Sequence, residues 1–228
     1  MSRVSVIVPV LNEADTLAES LTQVRAALHA GDELIVVDGD STDDSVGIAR
    51  QIADTVLTSE PGRSAQMNAG AVCATGVWLW FVHADTVLDS RHREALDEVP
   101  STGQWGRFDV RLSNPRFLFR VIASMMNWRS RLSGIATGDQ AMFVRREVFR
   151  EQGGFPAQPL MEDIALSRML RAQSRPLCLR PLLMTSSRRW DANGPWHTIW
   201  LMWVLRFRYW RGASPEALHR DYYRGDAG

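Results

Sequence analysis

The residues of this sequence best suited to chemistry are carboxylates that follow directly after apolar runs. Glu13 follows the first run, Asp38 and Asp40 follow the second, and Asp85 follows a later one. An uninterrupted apolar run of strand length is typical of a buried parallel strand, and open α/β sheets bind ligands at the carboxyl ends of such strands. The pattern therefore predicts a binding site at one edge of a sheet. The alternative is that residues 38–44 form only a solvated turn and helix cap.

Two adjacent carboxylates, Glu162 and Asp163, stand at the start of a predicted helix. Mutual repulsion raises the proton affinity of such a pair, which suits a general base that takes a proton from a hydroxyl group. The other interpretation is a pair that only stabilises the start of the helix through the helix dipole.

Arginine supplies all the side-chain positive charge apart from histidine, because the sequence contains no lysine. This excludes a P-loop lysine, a Schiff-base lysine and a lysine general base. Guanidinium groups form forks that match the oxygens of a diphosphate. Arg63, Arg188 and Arg189 are the candidates for that contact.

Strands and helices must alternate to position these groups. Strands are predicted at residues 4–11, 33–37, 55–58, 77–82, 105–112 and 140–144. Helices are predicted after Asn12 and Ser41 and at residues 63–74, 116–131, 161–172 and 196–209, before a polar tail. Asn12 is expected to cap the first helix, which should end near Gly31. The alternation predicts an α/β fold.

Composition sets limits on the function. The chain has 228 residues, of which 45% are hydrophobic and 23% charged, and this length and composition predict a single domain. Its net charge is zero, which argues against binding to nucleic acid. Cys73 and Cys178 lack metal-site spacing and suggest reduced thiols. Neither a signal peptide nor an apolar span of about 20 residues is evident, so we expect a cytoplasmic protein. The alternative is a peripheral protein at the inner face of the membrane.

Four motifs together resemble the family-2 glycosyltransferases of GT-A fold. They are Val8-Pro9-Val10-Leu11-Asn12-Glu13, Asp38-Gly39-Asp40-Ser41-Thr42-Asp43, His83-Ala84-Asp85 and Glu162-Asp163. Within that family the chain is similar to a short, soluble bacterial subgroup. Further motifs carry that likeness: Pro61-Gly62-Arg63, Gln66 to Ala71, Gly138-Asp139-Gln140-Ala141 and Ser187-Arg188-Arg189-Trp190.

The resemblance implies a fold and a division of the chain. The fold is a three-layer α/β/α arrangement with a mostly parallel central sheet, in one domain spanning residues 1–228. Residues 1–100 form the nucleotide-binding half, residues 101–195 the acceptor half, and residues 196–228 an aromatic helix and tail. The implied activity is inverting transfer of a sugar from a donor expected to be UDP-linked to an acceptor that is a small molecule or lipid-linked.

The resemblance also implies roles for individual residues. Asp38 hydrogen-bonds the base, Glu13 and Asp40 lie near the nucleoside, and Pro9 shapes the wall. The full set expected to bind the nucleotide sugar is Pro9, Glu13, Asp38, Asp40, Arg63, Asn68, His83, Ala84 and Asp85. Asp163 is the expected general base and Glu162 its neighbour at the catalytic centre. The sugar and acceptor side comprises Gly138, Asp139, Gln140, Arg188, Arg189 and Trp190.

A divalent cation, Mn²⁺ or Mg²⁺, is the expected cofactor. Such hard cations take carboxylate oxygens and neutralise phosphates, and Asp85 is the expected ligand. The family pattern is Asp-x-Asp, whereas His83 occupies the first position here. His83 is therefore a candidate ligand, a sugar contact or a packing residue.

The last predicted helix carries an aromatic row at helical spacing: Trp196, Trp200, Trp203, Phe207 and Trp210. Such a row is most often a core face. The alternatives are a helix lying on a membrane surface or a contact between two copies of the chain.

Three other functions compete. Asp38-Gly39-Asp40-Ser41-Thr42 matches the Asp-x-Asp-x-Thr motif of haloacid-dehalogenase-like phosphatases, in which Asp38 would be the nucleophile, but that family's downstream lysine is absent. A dinucleotide-binding enzyme would need a Gly-x-Gly-x-x-Gly turn after the first strand, and none is there. A non-catalytic nucleotide-sugar-binding protein would keep the fold without needing a base.

Overall fold

The computed structural model describes residues 2–224, apart from the side chains of Arg189 and Arg224. Its strands are β1 (Val4–Val10), β2 (Glu33–Asp38), β3 (Thr55–Thr58), β4 (Trp78–Phe81), β5 (Trp105–Leu112), β6 (Phe143–Arg145) and β7 (Leu177–Thr185). They form one sheet in the order β3-β2-β1-β4-β6-β5-β7. Only β6 runs antiparallel to its neighbours, so the sheet is mostly parallel as expected.

Helices connect and cover the strands. They are α1 (Ala14–Ala27), α2 (Ser45–Arg50), α3 (Arg63–Cys73), α4 (Ser90–Asp97), α5 (Phe117–Ser133), α6 (Arg146–Glu151), α7 (Glu162–Gln173), α8 (Arg188–Asn193), α9 (Pro195–Trp210) and α10 (Pro215–Arg224). A short 3-10 helix, Gly138–Gln140, precedes β6.

The three-layer arrangement follows from burial on both faces of the sheet. Val6 and Val8 of β1 pack with Leu17 and Leu21 of α1 on one face. Alternate residues of the same strands pack against α3, α6 and α7 on the other face, for example Ile7. Because successive side chains in a strand point to opposite faces, the uninterrupted apolar runs serve both layers.

The topology gathers the polar strand ends at one edge. β1 pairs in parallel with β2 on one side and with β4 on the other, so the segments that follow these three strands meet. The antiparallel direction of β6 brings the 3-10 helix before it to the same edge. The ends of β5 and β7 also lie there, since both run parallel to β4.

Several local expectations differ from the structure. Asn12 does not cap α1: its φ is +53° and its Oδ1 accepts hydrogen bonds from Thr42, while Glu13 occupies the N-cap position. The helix ends at Ala27 rather than near Gly31. The strand predicted at 140–144 begins only at Phe143, and the expected polar tail contains α10.

The aromatic row of α9 is not a core face. Trp196, Trp200, Trp203 and Trp210 are each 65–72% exposed, and Phe207 is 59% exposed. The opposite side of the helix supplies the packing, where Leu205 is fully buried against Leu218 of α10. Within residues 2–224, no helix has the length and apolar character needed to cross a membrane.

Candidate active site

Two connected cavities lie at the carboxyl edge of the sheet. The first, termed the β1 cavity, has a volume of about 790 Å³ and is lined by Pro9, Val10 and Leu11 at the end of β1. The second, termed the Asp163 cavity, has a volume of about 300 Å³ and contains Asp163. Both cavities are lined by Glu13, Arg63, His83, Asp85, Leu160, Glu162 and Tyr222. Of the predicted strand-end groups, Glu13 and Asp85 therefore share one site with the predicted acidic pair, whereas Asp38 and Asp40 line neither cavity.

Asp38 ends β2 and is almost completely buried. Its Oδ2 accepts hydrogen bonds from the backbone N–H groups of Asp40 and Ser41, both at 3.0 Å. Its Oδ1 is buried and has no hydrogen-bond partner among the described residues. A buried acceptor without a donor is costly, so this oxygen is a candidate for a ligand contact. Asp40 itself is exposed with φ +72° and lines neither cavity.

The loops after β1 and β2 are joined by side-chain hydrogen bonds. The backbone N–H of Asn12 donates to Ser41 Oγ at 2.9 Å, and that of Glu13 donates to Ser45 Oγ at 3.0 Å. Asp43 accepts from the N–H of Ala14 at 2.9 Å. The acidic and hydroxyl residues of this loop thus hold Glu13 at the cavity wall.

Gln66 and Asn68 of α3 use their amides to fix the backbone. Gln66 Nε2 donates to the carbonyls of Val10 at 2.8 Å and Val37 at 2.9 Å, which ties the ends of β1 and β2 together. Asn68 donates to the carbonyl of Phe155 at 2.8 Å and accepts from its N–H at 2.9 Å. Asn68 lines neither cavity, so the structure does not bring it to the site with the other expected nucleotide-binding residues.

Glu13 and Arg188 meet across the site. Arg188 Nη2 lies 3.6 Å from Glu13 Oε2. Burial raises the pKa of Glu13 although Arg188 opposes the shift, and the nearby charge of Asp85 raises it further. Arg188 lines the Asp163 cavity, as expected for a residue of the acceptor side. The side chain of Arg189 lies outside the described residues.

His83 and Asp85 follow β4 and line both cavities. Burial, together with the positive charge of Arg63, lowers the pKa of His83 to about 4, so the ring is neutral at pH 7. Its Nδ1 lies 3.7 Å from Asp139 Oδ1, too long for a hydrogen bond. Ala84, between His83 and Asp85 in the sequence, lines the β1 cavity.

A divalent cation fits this part of the site only with help from a ligand. No group of three or more His, Cys, Asp or Glu side chains in the described chain is arranged to hold a metal ion. Asp85 offers a carboxylate, and its charge is close enough to Glu13 to raise the pKa of Glu13. Mg²⁺ and Mn²⁺ sites in nucleotide-binding proteins commonly take one or two carboxylates and complete the shell with phosphate oxygens and water. The donor set is compatible with that kind of site.

Glu162 and Asp163 open α7 and have raised pKa values. Burial, and then the charge of Asp163, raises the pKa of Glu162 to about 7, although Arg63 opposes the shift. Burial also raises the pKa of Asp163, against hydrogen bonds from two backbone N–H groups. Gly138 donates to Asp163 Oδ2 at 2.7 Å, and Ile164 donates to Oδ1 at 2.6 Å. The pair can hold or release a proton near neutral pH.

The 3-10 helix before β6 shapes the wall opposite His83. A Cβ on Gly138 would lie 2.6 Å from His83 Nε2, so only glycine allows this approach. Asp139 is half-exposed and lines the Asp163 cavity. Gln140 is fully buried, and its Oε1 accepts from the N–H of Thr137 at 3.2 Å. Gln140 lines neither cavity and acts on the site by holding the 3-10 helix in place.

Backbone strain is concentrated around these loops. The non-glycine residues with positive φ in the described chain are Asn12, Asp40, Ala141 and Met161, at +53°, +72°, +43° and +66°. Each is a neighbour of a predicted site motif. Such conformations cost about 1–3 kcal/mol each and persist where the surrounding structure enforces them, which is often at functional sites.

Several cavity residues were absent from the sequence-based set. Arg206 of α9 and Tyr222 of α10 line the Asp163 cavity, and Leu160 lies at the junction of both cavities. Trp190, which was expected there, lies in the Asp163 cavity and packs against the apolar cluster of α5. The sequence contained no signal for Arg206, because its position depends on the packing of α9 against α7, where Leu205 and Ile164 belong to one apolar cluster.

Known proteins resemble this chain in sequence and in fold. Residues 5–152 match the family model described as Glycosyl transferase family 2. A protein named uncharacterized glycosyltransferase, from Mycobacterium tuberculosis (strain ATCC 25618 / H37Rv), is 39% identical over 133 residues, which cover 56% of this chain and 59% of that protein. The chain thus spans less than two thirds of the length of this curated relative.

Solved structures add a match of the fold. The mannosyltransferase PcManGT of Pyrobaculum calidifontis, in complex with GDP-Man and Mn²⁺, has a TM-score of 0.66 at 20% identity, over 97% of this chain and 69% of that one. TarS 1-349 of S. aureus, in complex with UDP-GlcNAc, has a TM-score of 0.65 at 20% identity, over 81% of this chain and 58% of that one. At this identity the likeness concerns the fold, and it confirms the expected GT-A arrangement.

Proposed function

The chain belongs to glycosyl transferase family 2, and from that premise we propose that it is an inverting glycosyltransferase acting on a nucleotide-diphosphate sugar. The connected cavities are the observation that supports this most. Asp85 and Arg63 line both of them, whereas Asp163 lines only one. A donor that spans the junction would have its nucleoside in the β1 cavity, its diphosphate beside Asp85 and Arg63, and its sugar next to Asp163.

The donor is proposed to be UDP-linked. The free Oδ1 of Asp38 would accept the ring N–H of uracil, which removes an unsatisfied buried acceptor. Pro9 and Leu11 line the β1 cavity and would form its apolar walls. The structural relatives include proteins in complex with UDP-GlcNAc and with GDP-Man, so the choice of base needs a direct test.

The cofactor is proposed to be Mn²⁺ or Mg²⁺ held by Asp85. When bound, the cation neutralises negative charge on the diphosphate leaving group. Arg63 and Arg188 add positive charge beside the same region. Neutral His83 would contact the sugar or the cation without adding charge.

Transfer is a single displacement at the anomeric carbon. The acceptor hydroxyl oxygen forms the new bond to this carbon, and the bond to the diphosphate oxygen breaks with its electron pair remaining on the diphosphate. Asp163 takes the proton of the hydroxyl group. The N–H groups of Gly138 and Ile164 fix its carboxylate for that step.

The haloacid-dehalogenase hypothesis is not favoured. Residues 5–152 match a glycosyltransferase family model, and Asp38 Oδ2 is hydrogen-bonded to the backbone of its own loop. The acceptor is proposed to be a small molecule or a lipid-linked one. The exposed row of α9 supports contact with the inner face of a membrane or with a second copy of the chain.

Calorimetric titration tests the donor half of this proposal. UDP, GDP and inorganic phosphate are titrated into the protein with Mn²⁺, with Mg²⁺ and with a chelator. We expect UDP to bind in the presence of either metal and to bind at least about tenfold more weakly with chelator, a loss of about 1.4 kcal/mol. Asp38→Ala and Asp85→Ala should each weaken UDP, whereas the exposed control Asp15→Ala should not.

The outcomes separate the functions. Tighter binding of GDP than of UDP would show that the donor carries guanine rather than uracil. Binding of UDP that does not depend on metal would contradict the role of Asp85 as a metal ligand. Absence of nucleotide binding together with hydrolysis of phosphate esters would overturn the transferase proposal and restore the phosphatase hypothesis.

A further inference from the structure

A groove between α5 and α9 opens beside the Asp163 cavity. It has a volume of about 730 Å³ and is termed the α5–α9 groove. Its walls are mainly apolar, including Ile122, Met126, Leu132, Ile199, Met202 and Trp203. It shares Asp139, Trp190, Met202 and Arg206 with the Asp163 cavity. A ligand in the groove can therefore reach the proposed base.

Two arginines stand where the groove meets the Asp163 cavity. Nε and Nη2 of Arg129 are buried without a hydrogen-bond partner among the described residues. Arg206 has neither a hydrogen bond nor an ion pair within the described chain, and burial lowers its pKa. Burial, and then the charge of Arg206, lowers the pKa of Arg129 to about 10, so Arg129 remains charged at pH 7.

Unpaired buried charges are costly, and an anion between them would offset that cost. The carboxylates that influence both arginines are Asp163 and Asp139, but neither lies within ion-pair distance of them in the structure. The arrangement of donors is that of an anion site at the inner end of an apolar groove.

The rim of the groove has the composition of a lipid-facing surface. On α5, Phe117, Met125, Trp128 and Leu132 are 58–75% exposed, and the last three line the groove together with Trp203 of the exposed α9 row. Neither α5 nor α9 contains an aspartate or a glutamate, whereas together they contain five arginines: Arg120, Arg129, Arg131, Arg206 and Arg208. Tryptophan and arginine favour the interface of an anionic membrane.

We propose that the acceptor is an anionic lipid whose apolar chain occupies the α5–α9 groove. A phosphate in its head group lies between Arg129 and Arg206, and a hydroxyl beyond that phosphate reaches Asp163. This inference rests on the proposed transferase function and leaves its step unchanged. The lipid hydroxyl oxygen bonds to the anomeric carbon, the diphosphate leaves with its electron pair, and Asp163 takes the proton.

Charge favours a lipid over a second copy of the chain at this surface. A symmetric dimer through α9 would bring the same patch of both copies together. Arg131 and Arg208 of that patch already pair with Asp109 and Asp221 of other elements. Among the described residues, Arg129 and Arg206 have no ion pair, and neither helix supplies a carboxylate for them. An anionic lipid supplies the missing charge and the apolar surface together.

The test uses monomeric dihexanoyl phosphatidylglycerol, which has an apolar part, a phosphate and head-group hydroxyls. Its calorimetric binding is compared with that of glycerophosphoglycerol, which lacks the chains, and dihexanoyl phosphatidylcholine, which lacks net charge. We expect saturable binding of the phosphatidylglycerol, at least about tenfold tighter than either comparison ligand.

Paired variants locate the binding. The double variant Arg129→Gln/Arg206→Gln should weaken phosphatidylglycerol by about thirtyfold or more, since two charge-assisted hydrogen-bonding groups are lost. Arg50→Gln/Arg150→Gln removes the same charge from exposed positions on α2 and α6, outside the proposed lipid-facing surface, and should change binding less than about threefold. Leu132→Glu, at a position 71% exposed on the groove wall, should also weaken binding, unlike Val72→Glu at a 77% exposed position on α3.

Titration of UDP into the same samples keeps the two proposals distinguishable. UDP binding without phosphatidylglycerol binding, or lipid binding that the groove variants leave unchanged, overturns the lipid inference and leaves the donor half intact. Lipid binding without UDP binding supports the groove and contradicts the transferase. A dimer in analytical ultracentrifugation that Leu132→Glu dissociates, combined with no lipid binding, would identify the surface as a subunit contact and overturn the inference.

Discussion

At the scale of single residues, the site depends on groups whose protonation is displaced from their ordinary behaviour. Glu162 has a pKa raised to about 7, and the pKa of Asp163 is also raised, in each case chiefly by burial. His83 has a pKa lowered to about 4 and carries no charge at neutral pH. Perturbed groups gathered in one cavity are typical of functional sites. The placement of the acidic pair beside a neutral histidine was not readable from their spacing.

The acidic pair should set the pH dependence of transfer. The base Asp163 works in its deprotonated form and burial raises its pKa, so kcat/KM should fall as the pH is lowered, beginning at a higher pH than for an ordinary aspartate. Asp163→Asn should lower kcat about 10²–10⁴-fold, the usual contribution of a general base, and change the Kd of UDP less than about threefold. Donor-turnover assays from pH 5 to 9 measure both.

The exposed control Asp15→Asn should match the wild type. Turnover retained by Asp163→Asn would remove this residue as the base. Retained UDP binding with no measurable transfer or hydrolysis in the wild type would favour the non-catalytic binding protein.

The buried charge of Glu162 should reduce stability at alkaline pH. The folded-state pKa of about 7 lies above the model value of 4.5, so the folded state binds the proton more tightly than the unfolded state. The stabilisation that comes from this tighter proton binding is complete below about pH 4.5 and is lost as the pH rises through about 7. Relative to the wild type, Glu162→Gln should therefore gain stability between pH 5 and pH 8.

The expected gain is on the order of 2–3 kcal/mol, from about 1.4 kcal/mol for each unit of pKa shift. Urea unfolding of wild type and variant at both pH values measures it. The exposed control Glu94→Gln should show no such difference. A wild type that is more stable than Glu162→Gln at pH 8 would contradict the raised pKa.

At the scale of elements, the strands present the site and the helices hold its loops. Gln66 of α3 bridges the ends of β1 and β2, and Asn68 of the same helix holds the loop at Phe155. Both belong to the motif of residues 66–71, from which the resemblance assigned Asn68 to the nucleotide-sugar site. A sequence motif shows which residues act together, but the partners of an amide depend on chain segments far away. Phe155 is 87 residues from Asn68.

Asn68→Ala should reduce stability without removing the nucleotide site. It breaks both hydrogen bonds to Phe155 and leaves backbone groups with fewer partners, which should lower the free energy of unfolding by about 2 kcal/mol. The Kd of UDP, measured well below the melting temperature, should change less than about threefold. Gln51→Ala, at an exposed position after α2, is the control and should be neutral. Loss of UDP binding by a folded Asn68→Ala variant would show that Asn68 contacts the nucleotide sugar directly.

At the scale of the whole molecule, a buried ion pair joins the start of the chain to α4. Arg93 donates to Asp32 Oδ2 at 2.6 Å and to the carbonyl of Ser2 at 2.8 Å, and it pairs with Asp97 at 2.9 Å. Asp32 also accepts from the N–H groups of Val4 and His29, both at 2.9 Å. This network fixes the amino-terminal end of β1, opposite the edge that carries the site.

Arg93→Ala should be strongly destabilising, by about 3–5 kcal/mol, because Asp32 would remain buried without its partner. Arg91→Ala, two residues away, removes an exposed pair with Asp89 and should leave stability almost unchanged. Urea unfolding of both variants provides the comparison. Equal effects would show that the buried network adds nothing beyond a surface pair.

The sequence by itself determined the α/β class, the strands that end in carboxylates and many of the residues that line the β1 cavity and the Asp163 cavity. These depend on local patterns, since an apolar run is buried in place and its polar end must lie at the sheet edge. Most of the expected site residues, including Pro9, Glu13, Arg63, Asp85 and Asp163, do line the cavities.

Only the tertiary structure decided which surfaces remain exposed and which distant groups meet. The aromatic row of α9 has the spacing of a core face, yet it is exposed because Leu205 on the other side already packs against α10. Asp163 meets the N–H of Gly138, and Arg206 faces the same cavity, through contacts between segments far apart in the chain. Periodicity specifies that a helix has an apolar face, whereas the packing of the other elements determines whether that face is covered.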